Sequence, residues 1–284
     1  FSQVNNKSSI MQARSLQILS LCFSLVLLSR AYQAWFFDLP LRAIIWDQSL
    51  WEPLLELMRA SWSDWLHIFS DARIVTFQKI MSVTWLLSAL VIWLDTSTKW
   101  VKLLLISSLI FYFLLIITDV KDHFYRIGQF FEFGLQLWVV AFIALKNGYR
   151  PVFWKYSALA ALVLTFAAHG FYALDWYPRP GHFVQMVVSC LGVSEAQARV
   201  FLNVAGCIDL LLLPAILIGG AWRLTALAYA GFWGFMTSIA RLWAHWDLLD
   251  WTSFMHQWLP QFGFRTPHFI VPLILFYVYW RRAK

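Results

Sequence analysis

The sequence predicts an all-α polytopic membrane protein of eight transmembrane helices, arranged as two tandem four-helix bundles with both termini cytoplasmic. Three observations carry this reading. Of the 284 residues, 61% are hydrophobic and 13% charged, against about 25% charged in ordinary soluble domains. Apolar runs of about 18 residues or more, enough to cross a hydrocarbon core of about 30 Å, recur along the chain. Basic residues collect in alternate connections, as the positive-inside rule requires. A membrane β-barrel would show alternating segments of about ten residues instead, and the same composition excludes disorder and a disulfide scaffold.

The first span is expected at 16–37. Its run Leu16–Ser29 is followed by Arg30 and no convincing cleavage site, so it reads as a retained helix and not a signal peptide. The chain begins at Phe1, not Met, and an N-terminal stretch is expected to precede it. Residues 38–74 form a long outward connection carrying Trp46, Trp51, Trp62 and Trp65. Within it, Leu50, Leu54, Leu55, Leu57 and Met58 have helical spacing, which predicts one or two amphipathic helices in the interface. The second reading is a docking surface, on which the same tryptophans meet an extracytoplasmic partner. Spans at 75–94, 100–118 and 127–145 complete a first bundle within residues 1–150.

The second bundle, 151–284, has expected spans at 155–175, 199–218, 222–243 and 267–281. Its outward connection, 176–198, turns at Pro178-Arg179-Pro180-Gly181 and holds a short helix after Ser194. Cys22 and Cys207 fall in apolar runs and Cys190 in a loop, and no pair has redox or zinc spacing.

Lys7, Arg14, Lys99, Lys102, Lys146, Arg150, Lys155, Arg223, Arg281, Arg282 and Lys284 share one side, with Asp95 the only nearby acid. That side is expected to be cytoplasmic, in a bacterial inner membrane. The net charge of +7 therefore reports orientation, not nucleic-acid binding. His67, His123, His182, His245 and His256 lie at the opposite face, and His169 and His268 lie nearer that end of their spans. Most acids join them, from Asp38 and Asp47 to Asp247 and Asp250. Any chemistry is expected to face outward.

The halves match as a parallel duplication. Arg30 lines up with His169, and Glu132-Phe133 with His268-Phe269. Ile117, Asp119 and His123 line up with Ile239, Arg241 and His245.

His169, Asp209, Arg241, His245 and His268 come from four successive spans, and a bundle would bring them together. Each should face a partner or a wet cavity, because an ionisable group in hydrocarbon is expensive. Asp209 is expected near mid-membrane, with Arg241 or His169 as neighbour. In the first half, Arg30, His123 and Glu132 are the candidates, with Arg30 expected to pair with Asp119 or Glu132. Two readings stay open: a buried polar network that locks packing, and a pocket for a ligand such as quinone or lipid. No His-x-x-x-His or Glu-x-x-His pair exists, so no metal site is assigned. Absence of a nucleophile elbow, P-loop or dinucleotide fingerprint argues against nucleotide-driven work.

Two stretches carry a family likeness. Ala168-His169-Gly170-Phe171 precedes a Phe-containing loop, and Asp209-Leu210-Leu211-Leu212-Leu213 leads to Gly219-Gly220-Ala221-Trp222-Arg223-Leu224. With these, residues 157–281 resemble the DoxX-like family of four-helix membrane proteins. The family's usual Glu is Asp209 here, and the glycines after it are replaced by Leu and Pro214. The first half matches in layout, with Arg30 at the His169 position and Trp85 where the acid would be. The aromatic start Ser29-Arg30-Ala31-Tyr32 is also similar to the HTTM membrane domains related to vitamin K-dependent carboxylase.

The DoxX-like resemblance implies a membrane partner of redox enzymes, such as thiosulfate:quinone oxidoreductase. The expected function is an accessory subunit of an electron-transfer complex, joined to other membrane or extracytoplasmic subunits, with a pocket able to hold quinone or lipid. The alternatives are an enzyme in its own right, quinone-linked or carboxylase-like with His169 and Asp209 as acid–base candidates, and a small-molecule carrier.

Overall fold

A computed structural model describes residues 2–94, 98–146, 150–246 and 251–283, without the side chains of residues 2–12, 253 and 282. Asp95, Tyr149, Asp247, Asp250 and Lys284, and the side chains of Lys7 and Arg282, lie outside what is described. Among the described residues every regular element is helical. In chain order these are α1 (Ser2–Phe36), α2 (Arg42–Ile45), α3 (Gln48–Met58), α4 (Trp62–Ile68), α5 (Asp71–Val91), α6 (Lys99–Asp122), α7 (Ile127–Glu132) and α8 (Gly134–Leu145). Then follow α9 (Pro151–Ala173), α10 (Gly181–Leu191), α11 (Glu195–Ile218), α12 (Gly220–Ala244), α13 (Trp251–Phe264) and α14 (Pro267–Ala283).

Among the described residues six stretches are long and apolar enough to cross a membrane: Ala13–Phe36, Asp71–Val91, Lys99–Asp122, Pro151–Ala173, Glu195–Ile218 and Phe254–Arg281. The most apolar 18-residue window of the Lys99–Asp122 helix has mean hydropathy 2.4, yet only 33% of that window is buried inside the protein. In water such a face would be a large exposed apolar patch; a bilayer removes the conflict. The other two expected spans fall on α12, which is not among the six, and on α7–α8, where a turn at Phe133 interrupts the helix.

The packing order follows the chain twice. In the first half α1 packs on α5, α5 on α6, α6 on α8, and α8 returns to α1. In the second half α9 packs on α11, α11 on α12, α12 on α14, and α14 returns to α9. The halves meet reciprocally, with α7 and α8 against α9, and α13 and α14 against α1. One apolar core runs through both, from Phe23, Leu27, Trp85 and Tyr112 to Leu162, Phe166, Leu227 and Val271. Small hydroxyls tie helix backbones together inside it. Ser82 Oγ donates to Ala31 O at 2.6 Å and Ser24 Oγ to Ala89 O at 2.8 Å, while Ser88 and Ser108 hydroxyls meet at 2.6 Å. Such bonds hold helices together where hydrophobic contrast between them is small.

Local signals explain the ends. Asp47 caps α3 through Ser49 N, and capping boxes start α4 (Ser61 with Asp64) and α11 (Ser194 with Gln197). Gly219, at φ +83° and ψ −161°, turns the chain between α11 and α12 in a conformation that a side chain would strain. Two expectations about the second connection need correction. The helix there is α10, which precedes Ser194, and Ser194 instead opens the 24-residue α11. Cys190 consequently lies in α10, not in a loop.

In the first connection the tryptophans pin the segment to itself. Trp51 Nε1 donates to Ile44 O and Trp65 Nε1 to Ile45 O, both at 2.8 Å, and the two rings lie 4.4 Å apart, tilted by 30°. The apolar face of α3 stays open instead, with Leu57 81% and Met58 63% exposed. That is the pattern of an interfacial helix.

Candidate functional site

Five ionisable side chains meet in the second half because four elements each deliver one or two of them. His169 sits near the end of α9, Asp209 inside α11 and Arg241 near the end of α12. Arg265 occupies the break between α13 and α14, and His268 the first turn of α14. All five line one cavity of about 180 Å³, walled by apolar side chains including Phe166, Phe183, Met186, Leu202 and Trp233. The helix α10 closes one side, docking through Val184 and Val187 onto Ala173, Ala198 and Leu202.

The break that delivers Arg265 has a covalent cause. Pro267 has no N–H to give and starts a helix well at its first position. The freed backbone is still satisfied locally: His268 N donates to Arg265 O at 2.9 Å and Arg265 N to Phe262 O at 3.1 Å. Irregular backbone at such depth is tolerated where it lines a cavity or is buried in protein. The break at Phe133 repeats the arrangement in the first half, and there Thr165 Oγ1 of α9 accepts from Leu135 N at 3.1 Å. Gly234 lets α12 approach α14, since a Cβ there would lie 2.3 Å from His268 O.

The partners of the charged groups differ from those expected. Asp209 faces neither Arg241 nor His169; it accepts from Tyr229 OH at 2.9 Å. His169 Nδ1 lies 3.0 Å from Glu132 Oε1, so the acid of α7 supports the histidine of α9 across the two halves. Glu132 thus stands one layer behind the cavity. His169 and His268 rings sit 5.5 Å apart.

Arg30 pairs with neither Asp119 nor Glu132. Its Nη1 donates to Gln33 Oε1 at 2.8 Å and its Nη2 to Gln136 Oε1 at 2.9 Å, and its Cζ lies 3.8 Å from the centroid of the Phe264 ring. Neutral amides and an aromatic face replace the expected carboxylate. His123 is away from the cavity, its Nδ1 2.8 Å from Asp119 O at the end of α6. His245 does not line the cavity either: its Nδ1 is 2.8 Å from Arg241 O and its ring stacks on Trp258 at 3.3 Å, tying α12 to α13.

The two cavity arginines are left open. Arg241 is 4% exposed, its Nε has no hydrogen-bond partner, and its Nη1 reaches Met186 Sδ at 3.5 Å. Arg265 Nε also has no partner. Among the described residues neither joins an ion pair. Sequence reasoning missed Arg265. Its signal was a charged residue beside Thr266-Pro267 within an otherwise apolar stretch.

Among the described residues no group of three or more His, Cys, Asp or Glu side chains is placed to hold a metal ion. The arrangement instead offers cationic donors at one part of an apolar chamber and an acid hydrogen-bonded to a tyrosine at another. No protein-family model, no curated protein and no solved structure matches the chain.

Proposed function

We propose that the protein is a membrane subunit that holds an amphipathic ligand, of the quinone or lipid kind, in the second-half cavity. The observation that carries this reading is the cavity itself: about 180 Å³ of space with an apolar wall and five converging ionisable side chains. Ligand sites have this composition, mostly apolar with a few placed polar groups. A polar network serving only to lock helices would close on itself, whereas Arg241, Arg265 and His268 each keep an unpartnered nitrogen.

In this reading α12 and the interrupted α7–α8 also span the bilayer, giving eight spans, a duplicated four-helix unit and cytoplasmic termini. The repeated packing order supports the duplication. Association with a redox complex is supported by the DoxX-like layout of the second half and by that layout alone.

The test is purification of the full chain in mild detergent, followed by solvent extraction and mass spectrometry. The wild type should retain an amphiphile. Ala205→Phe, which fills the cavity from α11, should lose it while remaining monodisperse and helical. A wild type that carries no amphiphile, or an Ala205→Phe protein that carries as much, overturns the pocket. Partner proteins should copurify in the same preparation; a chain that is stable alone removes the subunit part.

A further inference from the structure

We infer that the ligand of this cavity is an anionic amphiphile, with its oxyanion head, phosphate or carboxylate, between Arg241 and Arg265 and its hydrocarbon body along the apolar wall. This deepens the pocket reading and rests on it. The argument is one of charge accounting inside a low-dielectric site. Two guanidinium groups face the cavity, and among the described residues the one acid whose field reaches both is Glu132, which is bonded to His169 and forms no ion pair with either arginine, while Asp209 is bonded to Tyr229. Arginine stays protonated in proteins, so it cannot escape by losing its proton. A buried charge without a counter-charge in contact is costly, and the soft sulfur of Met186 is a weak acceptor.

The chemistry that suits the two arginines is therefore a negative oxygen group, which two guanidinium forks bind with charge-assisted hydrogen bonds. A neutral quinone would accept hydrogen bonds but bring no negative charge to the two guanidinium groups. The wall decides the rest. Phe166, Phe183 and Leu202 offer nothing to a hydrated ion and suit a hydrocarbon body.

His268 refines the head. Its Nδ1 lies 3.1 Å from Arg265 O, a carbonyl, so Nδ1 carries the proton and donates. In the neutral ring Nε2 is then an acceptor, and it is buried without a partner. A head that carries a hydroxyl beside its oxyanion, as a phosphate monoester does, would satisfy both arginines and Nε2.

The test measures binding to the purified full chain in a neutral detergent. The probes are dioleoyl phosphatidic acid, oleate, dioleoyl phosphatidylcholine, decylubiquinone and inorganic phosphate. Phosphatidic acid, oleate or both should bind about tenfold or more tighter than phosphatidylcholine and decylubiquinone. Preference for phosphatidic acid identifies a phosphate head, and preference for oleate a carboxylate head.

Arg241→Gln and Arg265→Gln should each weaken the anionic probe about tenfold, and the Lys variants should weaken it less. If the Gln variants do not fold, wild-type selectivity decides alone. Equal binding of phosphatidylcholine, or tightest binding of decylubiquinone, overturns the anionic head and leaves the pocket standing. Inorganic phosphate that competes as well as the lipids overturns the amphiphile. No binding of any probe overturns the pocket reading as well.

Discussion

The Glu132–His169 pair joins α7 to α9 where both side chains are largely buried and a charge without a partner is costly. Glu132→Gln keeps an acceptor for the imidazole but removes the charge that orients it. The expected loss is about 1–3 kcal/mol, read as a lower thermal midpoint in detergent. An unchanged midpoint would show that the pair does not hold the halves together. Gly234 works through shape. Gly234→Ala puts a Cβ 2.3 Å from His268 O, a backbone atom that cannot swing away, so α12 and α14 must separate. Overpacking of this kind costs about 1–3 kcal/mol, and here it should also weaken probe binding, because His268 moves with α14. A variant that binds as well as wild type would show that His268 position is immaterial. At this scale four cavity residues, His169, Asp209, Arg241 and His268, were legible as ionisable groups in apolar runs. The partners of buried charges were not: Tyr229 for the cavity's Asp209, and Gln33 and Gln136 for Arg30 outside it, are neutral, and neutral residues leave no mark in a count of charges.

Strong apolar runs placed most spans to within a few positions, although α1 begins at Ser2, well before the expected 16, and Ser194 opens α11 and no separate short helix. The interruptions were not equally readable. Thr266-Pro267 announces the break before α14, but Phe133 separates α7 from α8 without a proline, and the backbone N–H of Leu135 is met by Thr165 of another helix. Only a tertiary partner makes that break tolerable. The α2–α4 connection is a separate element with its own electrostatics. Asp47 pairs with Lys121 and accepts from Ser49, which holds its carboxyl below the usual range, and the Ser61 bonds do the same for Asp64. A carboxyl depressed in the folded chain contributes stability above its unfolded value, about 4, and loses it as pH falls through the lower folded value. Amide protection across residues 48–68 should therefore hold from pH 7 to 5 and fall below about pH 4, while α5 and α6 stay protected. Protection that is flat to pH 3 would show that these acids do not anchor the connection.

At the scale of the molecule, the apolar core crosses the boundary between residues 1–150 and 151–284, and α13 and α14 rest on α1 as α7 and α8 rest on α9. The chain split between residues 146 and 150 should accordingly reassemble when both parts are coexpressed, whereas the second part alone should lose its sharp thermal transition. A second part that melts alone like the intact protein would show two independent bundles. Composition established the class, because 61% apolar and 13% charged residues leave more hydrocarbon than a soluble surface can hide. The spacing of apolar runs placed most of the helices, because hydrogen bonding within one segment is a local matter. The match of His169 to Glu132, the two unpaired arginines and the cavity between them arose only on packing. Desolvation tells each buried charge that it needs a partner, but which partner depends on where α7, α9 and α12–α14 come to rest.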